Sequence, residues 1–323
     1  MKKFIQYLFL FILPIVLLSY FLDVFISTNL KKLNQYARKE YSTWNDVFDG
    51  KIHSDLLIYG SSRACQNFDP TMISESLHIS TYNLGIEGHS FLLQYLRHVL
   101  LLKNNKKPKT IIISVDMFTL QKRKDLYNLE QFLPYMLWNK EIKEATINYE
   151  GFVFMDYEIP LVRYYGQTKT LEKMTRLFLG NLSNPVKRIK GFKAKNLLWN
   201  SDFDKAKLSM KKYEVKLNTD TLRLFERFLA ECKKHNIKLI FVYSPEYIEG
   251  QKFVRNRGEI VSIYTKFSKQ YQIPFYDYSN DAISYQKNYF YNTNHLTLIG
   301  TELFTAKLID TLRTSSIIKG LKN

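Results

Sequence analysis

Five short apolar runs separated by helix-like segments constrain the fold of this chain more than any other feature. The run Thr110–Val115 is rich in β-branched residues and is typical of a strand buried on both faces. Segments such as Thr219–His235 carry apolar residues at helical spacing. Strands that alternate with helices at these intervals predict βαβ units and a parallel sheet. The five predicted strands are Leu56–Tyr59, Ser80–Leu84, Thr110–Val115, Lys238–Tyr243 and Pro274–Tyr278.

The strand–helix alternation stops between about residues 120 and 217. This stretch is rich in Tyr, Phe, Lys and Arg and contains helical segments such as Thr170–Leu179. We interpret it as a mostly helical insertion that packs beside or over the sheet. The predicted organisation is therefore a transmembrane anchor at 1–28, a stalk at 29–53, and an α/β domain at 54–318 that carries the insertion at about 120–217.

The first segment has the composition of a membrane anchor. Phe4–Ile26 is almost continuously apolar and is long enough to span a bilayer as a helix. It has no good small-x-small cleavage site, which favours an uncleaved anchor over a signal peptide. Lys2 and Lys3 favour a cytoplasmic amino terminus, whereas the basic residues after the span argue against it. Those residues are Lys31, Lys32, Arg38 and Lys39.

The formal net charge of +17 suggests an anionic partner such as a membrane surface, an acidic glycan or nucleic acid. A nucleic-acid partner would require the large domain to lie in the cytoplasm. The insertion contains a dense basic section. The default interpretation of this section is a solvated surface; the more specific interpretation is a surface that contacts acidic glycan or lipid headgroups. Its residues are Lys187, Arg188, Lys190, Lys193, Lys195, Lys205, Lys207, Lys211 and Lys212.

A serine and a distant histidine form a candidate catalytic pair. Gly60-Ser61-Ser62 follows the first predicted strand, and His295 precedes the last predicted helix, Leu298–Arg313. A serine hydroxyl becomes a nucleophile when an adjacent histidine takes its proton. The strand would end at the sheet's carboxyl edge, where open α/β folds bind ligands, and Gly60 permits a sharp turn there. A plain βα turn is the alternative for Gly60–Ser62 alone.

No metal or cofactor is expected from the sequence. The two cysteines, Cys65 and Cys232, are far apart and have no metal-ligand spacing; Cys65 is predicted to be a buried structural thiol. The chain has no phosphate-binding glycine motif. The histidines other than His295 also lack metal spacing: His53, His78, His89, His98 and His235.

Together these features resemble the SGNH/GDSL hydrolase superfamily. The match rests on Gly60-Ser61-Ser62, Asn83-Leu-Gly85-Ile-Glu-Gly88 and Asn292-Thr-Asn-His295, and covers roughly residues 54–120 and 218–313. It is similar in particular to the membrane-anchored branch in surface-polymer modification, near the D-alanyl transfer and alginate O-acetylation proteins. The resemblance implies a flavodoxin-like three-layer α/β/α sandwich with a parallel sheet of about five strands.

The resemblance also implies roles for individual residues. Ser62 is the expected nucleophile and His295 the expected base, while the N–H groups of Ser62 and Gly88 would form the oxyanion hole. Asn83 belongs to the same block as Gly88 and is expected near the oxyanion or substrate.

Two departures from the family pattern weaken the expected machinery. The third block usually supplies an oxyanion-hole Asn, but here the strand leads into Asp116-Met-Phe118, so Asp116 would either line the site or cap the loop. Asn292 stands where the family has an aspartate. An amide can orient the histidine ring but brings no charge. Asp281 and Glu246 are the carboxylates that could substitute.

The expected function is therefore an extracytoplasmic SGNH-type serine esterase or O-acyltransferase that acts on a cell-surface glycan through a Ser–His dyad. By family analogy, a membrane protein that supplies acyl groups is a plausible partner, and nucleic acid is not expected. The alternative is a catalytically inactive SGNH-like protein that binds glycan or scaffolds surface-polysaccharide assembly. Asn292 and the missing third-block Asn favour that alternative.

Overall fold

The computed structural model describes residues 2–33, 37–88, 91–181, 188–193 and 195–321. The chain divides into two compact units. The helical unit comprises Met1–Asn45 and Lys124–Lys187, and the sheet unit comprises Asp46–Arg123 and Arg188–Asn323. The segment at about 120–217, which we interpreted as one insertion, is thus divided between the two units. Its residues 124–187 belong with the amino-terminal segment and residues 188–217 with the sheet unit.

A five-stranded parallel sheet forms the centre of the sheet unit. Its spatial order is β2-β1-β3-β4-β5, the doubly wound order typical of flavodoxin-like folds. The predicted α/β sheet is confirmed, because each predicted strand overlaps an observed one. The strands are β1 (Leu56–Gly60), β2 (Thr81–Asn83), β3 (Thr110–Ser114), β4 (Lys238–Tyr243) and β5 (Phe275–Asp277).

Helices connect these strands and make up most of the helical unit. In chain order they are α1 (Lys2–Lys31), α2 (Glu40–Phe48), α3 (Ser62–Asn67), α4 (Pro70–Leu77), α5 (Phe91–Asn104), α6 (Lys140–Thr146), α7 (Phe154–Glu158), α8 (Thr168–Phe178), α9 (Asp202–Ser209), α10 (Thr219–Lys234), α11 (Ile248–Phe253), α12 (Arg257–Tyr271), α13 (Leu298–Thr314) and α14 (Ser316–Lys319). Short 3₁₀ turns lie at Ala37–Lys39, Leu129–Gln131, Leu133–Tyr135, Val162–Tyr164, Ala282–Tyr285 and Lys287–Tyr289.

The two faces of the sheet are covered by different helices, because successive side chains of a strand point to opposite faces. On one face, Ile58 and Ile240 pack in a cluster with Phe304 of α13 and residues of α3 and α4. On the other face, Tyr59 stacks against Phe228 of α10. On the same face, Tyr59 contacts His98 of α5, and Phe241 contacts Tyr264 of α12. These two layers of helices complete the three-layer sandwich that the resemblance implied.

A small antiparallel hairpin lies outside the main sheet. It consists of β6 (Phe290–Asn292) and β7 (His295–Leu296), and it places Asn292 directly opposite His295. This hairpin was not predicted, because its strands are too short to show a periodic pattern in the sequence.

Within the helical unit, α1 changes from exposed to buried along its length. The part of α1 before Asp23 is largely exposed apolar side chain, whereas Asp23, Ile26, Ser27, Asn29 and Leu30 are buried. Asp23 receives two hydrogen bonds from Arg163, of 2.7 and 2.8 Å, and a third from the Leu161 N–H. The carboxyl-terminal third of α1 is therefore part of the folded core of this unit.

Replacing Asp23 by alanine is expected to lower the free energy of unfolding by about 3–5 kcal/mol, because it would leave the Arg163 guanidinium charged and buried without its partner. Denaturant titration of the full chain in detergent would measure the loss. Glu144→Ala is the matched control. It breaks the exposed Lys140–Glu144 pair, and we expect it to cost less than about 1 kcal/mol. Equal effects of the two changes would contradict the prediction.

Candidate active site

The turn after β1 presents Ser62 at the carboxyl end of the sheet. Gly60 ends β1 with a φ of 148°, and a Cβ there would lie 2.8 Å from Cβ of Ala64 and 2.9 Å from Cβ of Ser114. Only glycine fits this close approach. Ser61 then caps α3 by accepting a hydrogen bond from the Arg63 N–H, and Ser62 is the first residue of that helix. The sharp turn therefore exposes the Ser62 hydroxyl next to the helix amino terminus.

Ser62, His295 and Asn292 form a connected chain of hydrogen bonds. The Ser62 Oγ lies 2.7 Å from Nε2 of His295, and His295 Nδ1 lies 2.9 Å from Oδ1 of Asn292. Residues from the first and last predicted blocks thus meet, although β2 to β5 and their helices separate them in sequence. The order nucleophile, base and orienting group is the arrangement of a serine hydrolase.

The hairpin fixes the tautomer of His295. Oδ1 of Asn292 also accepts hydrogen bonds from the backbone N–H groups of Asn294, at 3.1 Å, and His295, at 3.0 Å. These two donors require the oxygen of the amide, rather than its NH₂ group, to face the ring. Nδ1 of His295 must then carry the proton, and the lone pair on Nε2 is directed at the Ser62 hydroxyl.

The surroundings of His295 disfavour its charged form. Burial is the largest cause, followed by the positive charges of Arg63 and Lys195, and together they lower the pKa of His295 to about 3. Its ring stacks on Tyr291, with centroids 5.3 Å apart and planes inclined by 10°. The imidazole is therefore neutral at neutral pH and able to accept a proton, but the imidazolium that forms during reaction is poorly stabilised.

A polar network behind His295 holds the stacking partner in place. The Tyr291 hydroxyl donates to Gln66 Oε1, and Gln66 Nε2 donates to Glu87 at 2.6 Å. Glu87 is buried and pairs with Lys193 at 2.7 Å and with Lys195 at 3.7 Å. Part of the basic section therefore has a structural role beside the site.

Neither alternative carboxylate contacts His295 among the described residues. Glu246 accepts a hydrogen bond from the Tyr243 hydroxyl and lies 3.7 Å from the buried Arg63. Asp281 caps the Ala282–Tyr285 turn and pairs with Lys307. The orienting position beside the ring is thus taken by Asn292.

The other predicted site residues are placed differently. Gly88, with a φ of 72°, lines the same cavity as Ser62. Asp116 is fully buried, where it accepts hydrogen bonds from Ser61 and from the Thr119 N–H, so it caps the loop after β3 and holds the residue next to Ser62.

Asn83 is also fully buried, and its amide is engaged by backbone groups. Its Nδ2 donates to the carbonyls of Ala64 and Phe68, and its Oδ1 accepts from the Gly85 N–H. It is absent from the residues that line the cavity, so its part is to hold the second block against α3 rather than to touch a ligand.

A cavity of about 500 Å³ opens beside Ser62. Short helices α9 and α11 supply much of its wall; α9 lies in the stretch predicted to be mostly helical, whereas no helix was predicted at α11. Glu246, Gln121 and Arg123 add polar groups. The apolar lining consists of Phe118, Phe203, Ala206, Met210, Phe253 and Val254. Pockets of this size hold drug-sized ligands.

Several residues of the site were not singled out from the sequence. Arg63 follows Ser62 directly and Tyr291 lies inside the quoted histidine block, so their positions were a usable signal. Glu87 lies within the second block, yet no spacing rule connects it to Lys193 or Lys195. Phe203 and Phe253 were hidden by the absence of a clear helical period around them.

The remaining sequence predictions concern thiols and basic residues. Cys65 and Cys232 are both buried and form no disulfide with each other, and the Cys65 thiol donates to the Ser62 carbonyl at 3.4 Å. No group of residues suited to hold a metal ion occurs in the described part of the chain. Lys207 pairs with Asp204 on α9. Lys187 and His89 lie outside the described residues.

No family model and no curated protein matches this chain. Among solved structures, a Streptococcus pneumonia protein provisionally described as a platelet activating factor aligns with 96% of this chain and 99% of its own, at 11% identity and a TM-score of 0.40. A Desulfitobacterium hafniense protein, provisionally described as lipolytic and of the G-D-S-L family, aligns with 79% of this chain and 98% of its own, at 12% identity and a TM-score of 0.38. A GDSL-like lipase from Bacteroides thetaiotaomicron aligns with 84% of this chain and 97% of its own, at 13% identity and a TM-score of 0.32. Identities of this size leave the chemistry to be judged from the residues of the site.

Proposed function

We propose that this protein is a membrane-anchored serine esterase or O-acyltransferase that acts on acyl esters of an extracytoplasmic glycan. The observation that carries the proposal is the 2.7 Å contact between Ser62 Oγ and His295 Nε2, with Asn292 fixing the tautomer. A serine that only caps or closes a turn would not need a histidine lone pair directed at it. The same geometry argues against the binding-only alternative.

Two half-reactions follow from this arrangement. Ser62 Oγ attacks the acyl carbon while its proton moves to Nε2 of His295; the ester C–O bond then breaks, and His295 returns the proton to the leaving alcohol. In the second half, water or a sugar hydroxyl gives its proton to His295 and attacks the acyl carbon; the bond between that carbon and Ser62 Oγ breaks, and His295 returns the proton to Ser62 Oγ. Water completes hydrolysis, and a sugar hydroxyl completes acyl transfer.

Charge at the site favours the oxyanion more than the imidazolium. The N–H groups of Ser62 and Gly88 are the proposed donors to the tetrahedral intermediate, and one such donor is worth about 3–4 kcal/mol. Arg63 and Lys195, which lower the pKa of His295, favour negative charge on the substrate for the same electrostatic reason. Because Asn292 adds no negative charge beside the ring, we expect a slow enzyme.

Membrane anchoring is supported by the length and apolar composition of α1 and by the burial of its carboxyl-terminal part. Lys2–Lys31 is one helix, long and apolar enough to cross a membrane. A cleaved signal peptide would take Asp23 and Ser27 away from the core they form with Arg163 and Tyr164. We therefore propose an uncleaved anchor, with the large domain outside and Lys2 and Lys3 in the cytoplasm.

The cavity supports a substrate with both apolar and polar groups. Sugars present apolar C–H faces beside hydroxyls, and the wall combines aromatic rings with Gln121, Arg123 and Asn294. By analogy with the membrane-anchored branch that the sequence resembles, a membrane protein that supplies acyl groups is the proposed partner. No cofactor is needed for either half-reaction.

The test is covalent labelling of the full chain in detergent with a fluorophosphonate probe, which reacts with activated serines. Labelling that maps to Ser62 and disappears in Ser62→Ala and in His295→Ala is the expected result. Ser262→Ala, which removes an exposed hydroxyl on α12, should label normally. If the folded protein does not react, the glycan-binding or scaffold alternative takes its place. That alternative leaves the acyl content of surface polymer unchanged in Ser62→Ala cells.

Phe203→Ala is expected to lower kcat/KM for p-nitrophenyl butyrate by about 10-fold, since apolar contacts in a pocket are worth about 1–3 kcal/mol of discrimination. Phe203 lines the cavity from α9 and meets Phe253 edge-on at 5.5 Å. Leu208 lies on the same helix and is 89% exposed, so Leu208→Ala should leave kcat/KM unchanged. A similar loss in both variants would show that α9 acts only through its folding.

A further inference from the structure

The helical unit exposes a group of large apolar side chains that a water-soluble surface does not explain. Between residues 138 and 179, six large apolar side chains are each 57% to 62% exposed. We call them the apolar patch: Trp138, Val153, Phe154, Met155, Phe178 and Leu179. Three of them are consecutive at the start of α7. Exposed apolar groups of this kind mark a surface that is covered in the functional protein.

The patch is continuous with the apolar surface of α1. The Trp138 ring stacks on Tyr20, with centroids 5.5 Å apart and planes inclined by 18°. The Phe178 ring meets Phe25 edge-on at 5.4 Å. Trp138 is in turn tied to α7, because its Nε1 donates to the Glu158 carbonyl at 3.0 Å. The patch therefore contacts α1 at two positions, Tyr20 and Phe25, which lie five residues apart on that helix.

The position of those contacts along α1 matches the depth of a membrane surface. A helix rises about 1.5 Å per residue, so Phe4–Leu22 is about 28 Å long. The hydrocarbon core of a bilayer is about 30 Å thick. If α1 spans the bilayer, Tyr20 and Phe25 lie where hydrocarbon meets headgroups, which is the level at which Trp and Tyr collect in membrane proteins.

The charge around the patch suits the same location. The Lys143 Nζ lies 4.0 Å from the Phe154 ring centre, at the border of the apolar surface, and pairs with Glu158 at 2.5 Å. Helix α8, which ends in Phe178, exposes Lys169, Lys173 and Arg176. Basic residues at the membrane surface interact favourably with anionic lipid headgroups. Asp23, at the same level of α1, is neutralised by Arg163.

We propose that the apolar patch inserts into the lipid–water interface of the bilayer that α1 spans, so that residues 138–179 contain a second membrane-contacting element. This inference rests on the proposed anchoring by α1. It commits to lipid as the occupant, because the patch is continuous with a helix that itself faces lipid and is bordered by cations. A second membrane protein covering the patch is the competing outcome.

The experiment places an environment-sensitive fluorophore on single cysteines of the full chain. The native thiols of Cys65 and Cys232 are buried, so introduced surface cysteines react preferentially. The positions are Phe154→Cys and Phe178→Cys in the patch, Leu13→Cys within α1, and Glu144→Cys at an exposed polar site of the same unit. Each protein is reconstituted in phosphatidylcholine–phosphatidylglycerol vesicles that contain lipids with a nitroxide quencher either near the headgroup or at the acyl-chain end.

Labels at 154 and 178 should lose most of their fluorescence to the headgroup-proximal quencher and little to the chain-end quencher. The label at 13 should show the reverse order, and the label at 144 should respond to neither. If 13 is quenched while 154 and 178 behave like 144, the patch does not meet lipid; the inference is overturned although the anchor stands. If 13 is not quenched, the proposed anchor fails, and the inference fails with it.

Discussion

Replacing Ser62 by alanine is expected to lower turnover of p-nitrophenyl butyrate by up to about 10⁶-fold, because serine and base act as one unit. His295→Ala should cause a similar loss, since the Ser62 hydroxyl would keep its proton. The sharper expectation concerns the double variant, which should be no slower than either single one. Steady-state rates of the three purified proteins would measure this.

Ser262→Ala is the control for this series, because it removes a hydroxyl from the exposed side of α12. Additive losses in the double variant would mean that Ser62 and His295 contribute separately. That outcome would contradict a shared proton transfer, even if each single variant were slow.

Asn292→Asp is expected to raise kcat/KM by about 10- to 100-fold near neutral pH, since an adjacent opposite charge shifts a pKa by about 1–3 units and steadies the imidazolium. The geometry accepts the change, because a carboxylate oxygen can take the three hydrogen bonds that Oδ1 of Asn292 now accepts. The Nδ2 group of Asn292 has no hydrogen-bond partner among the described residues, so none would be lost there.

The pH dependence should separate the two proteins. The base must be neutral to act, and the pKa of His295 is lowered, so the wild-type rate should change little between about pH 5 and 7. A carboxylate at 292 raises that pKa, and the variant's rate should then fall over the same interval as pH decreases. Asn236→Asp adds the same charge in an exposed turn and should alter neither rate nor profile. Identical profiles for Asn292→Asp and wild type would contradict the assigned role of Asn292.

The main sheet could be predicted from the sequence because each strand carries its own local signal. The strand Lys238–Tyr243 was predicted with the boundaries that the structure has, and Pro70 stands at the first position of the observed helix α4. Apolar runs and a proline at the first helical position are properties of a few adjacent residues. The pairing of Ser62 with His295 was predicted from the chemistry of a serine nucleophile and from the resemblance, because no spacing rule brings residues so distant in sequence together.

What the sequence could not reveal depends on contacts between distant segments. The β6–β7 hairpin exists because Asn292 folds back on His295, and its strands are too short for a period. The pairing of Asp23 with Arg163 joins a helix that resembles a simple anchor to a loop far along the chain. The role of Glu87 arises from Gln66 and Lys193, neither of which has a local reason to meet it.

The buried pair between Asp23 and Arg163 has a consequence for release of the protein from the membrane. If α1 spans a membrane as proposed, a single protease cut between α1 and α2 would sever the chain without releasing the part after the cut, because Arg163 and Trp138 would still hold it to α1 through Asp23 and Tyr20. Shedding would require unfolding of the helical unit as well. The proposed anchor helix α1 is therefore a structural part of the helical unit, and a cut in the chain beside it would not detach it.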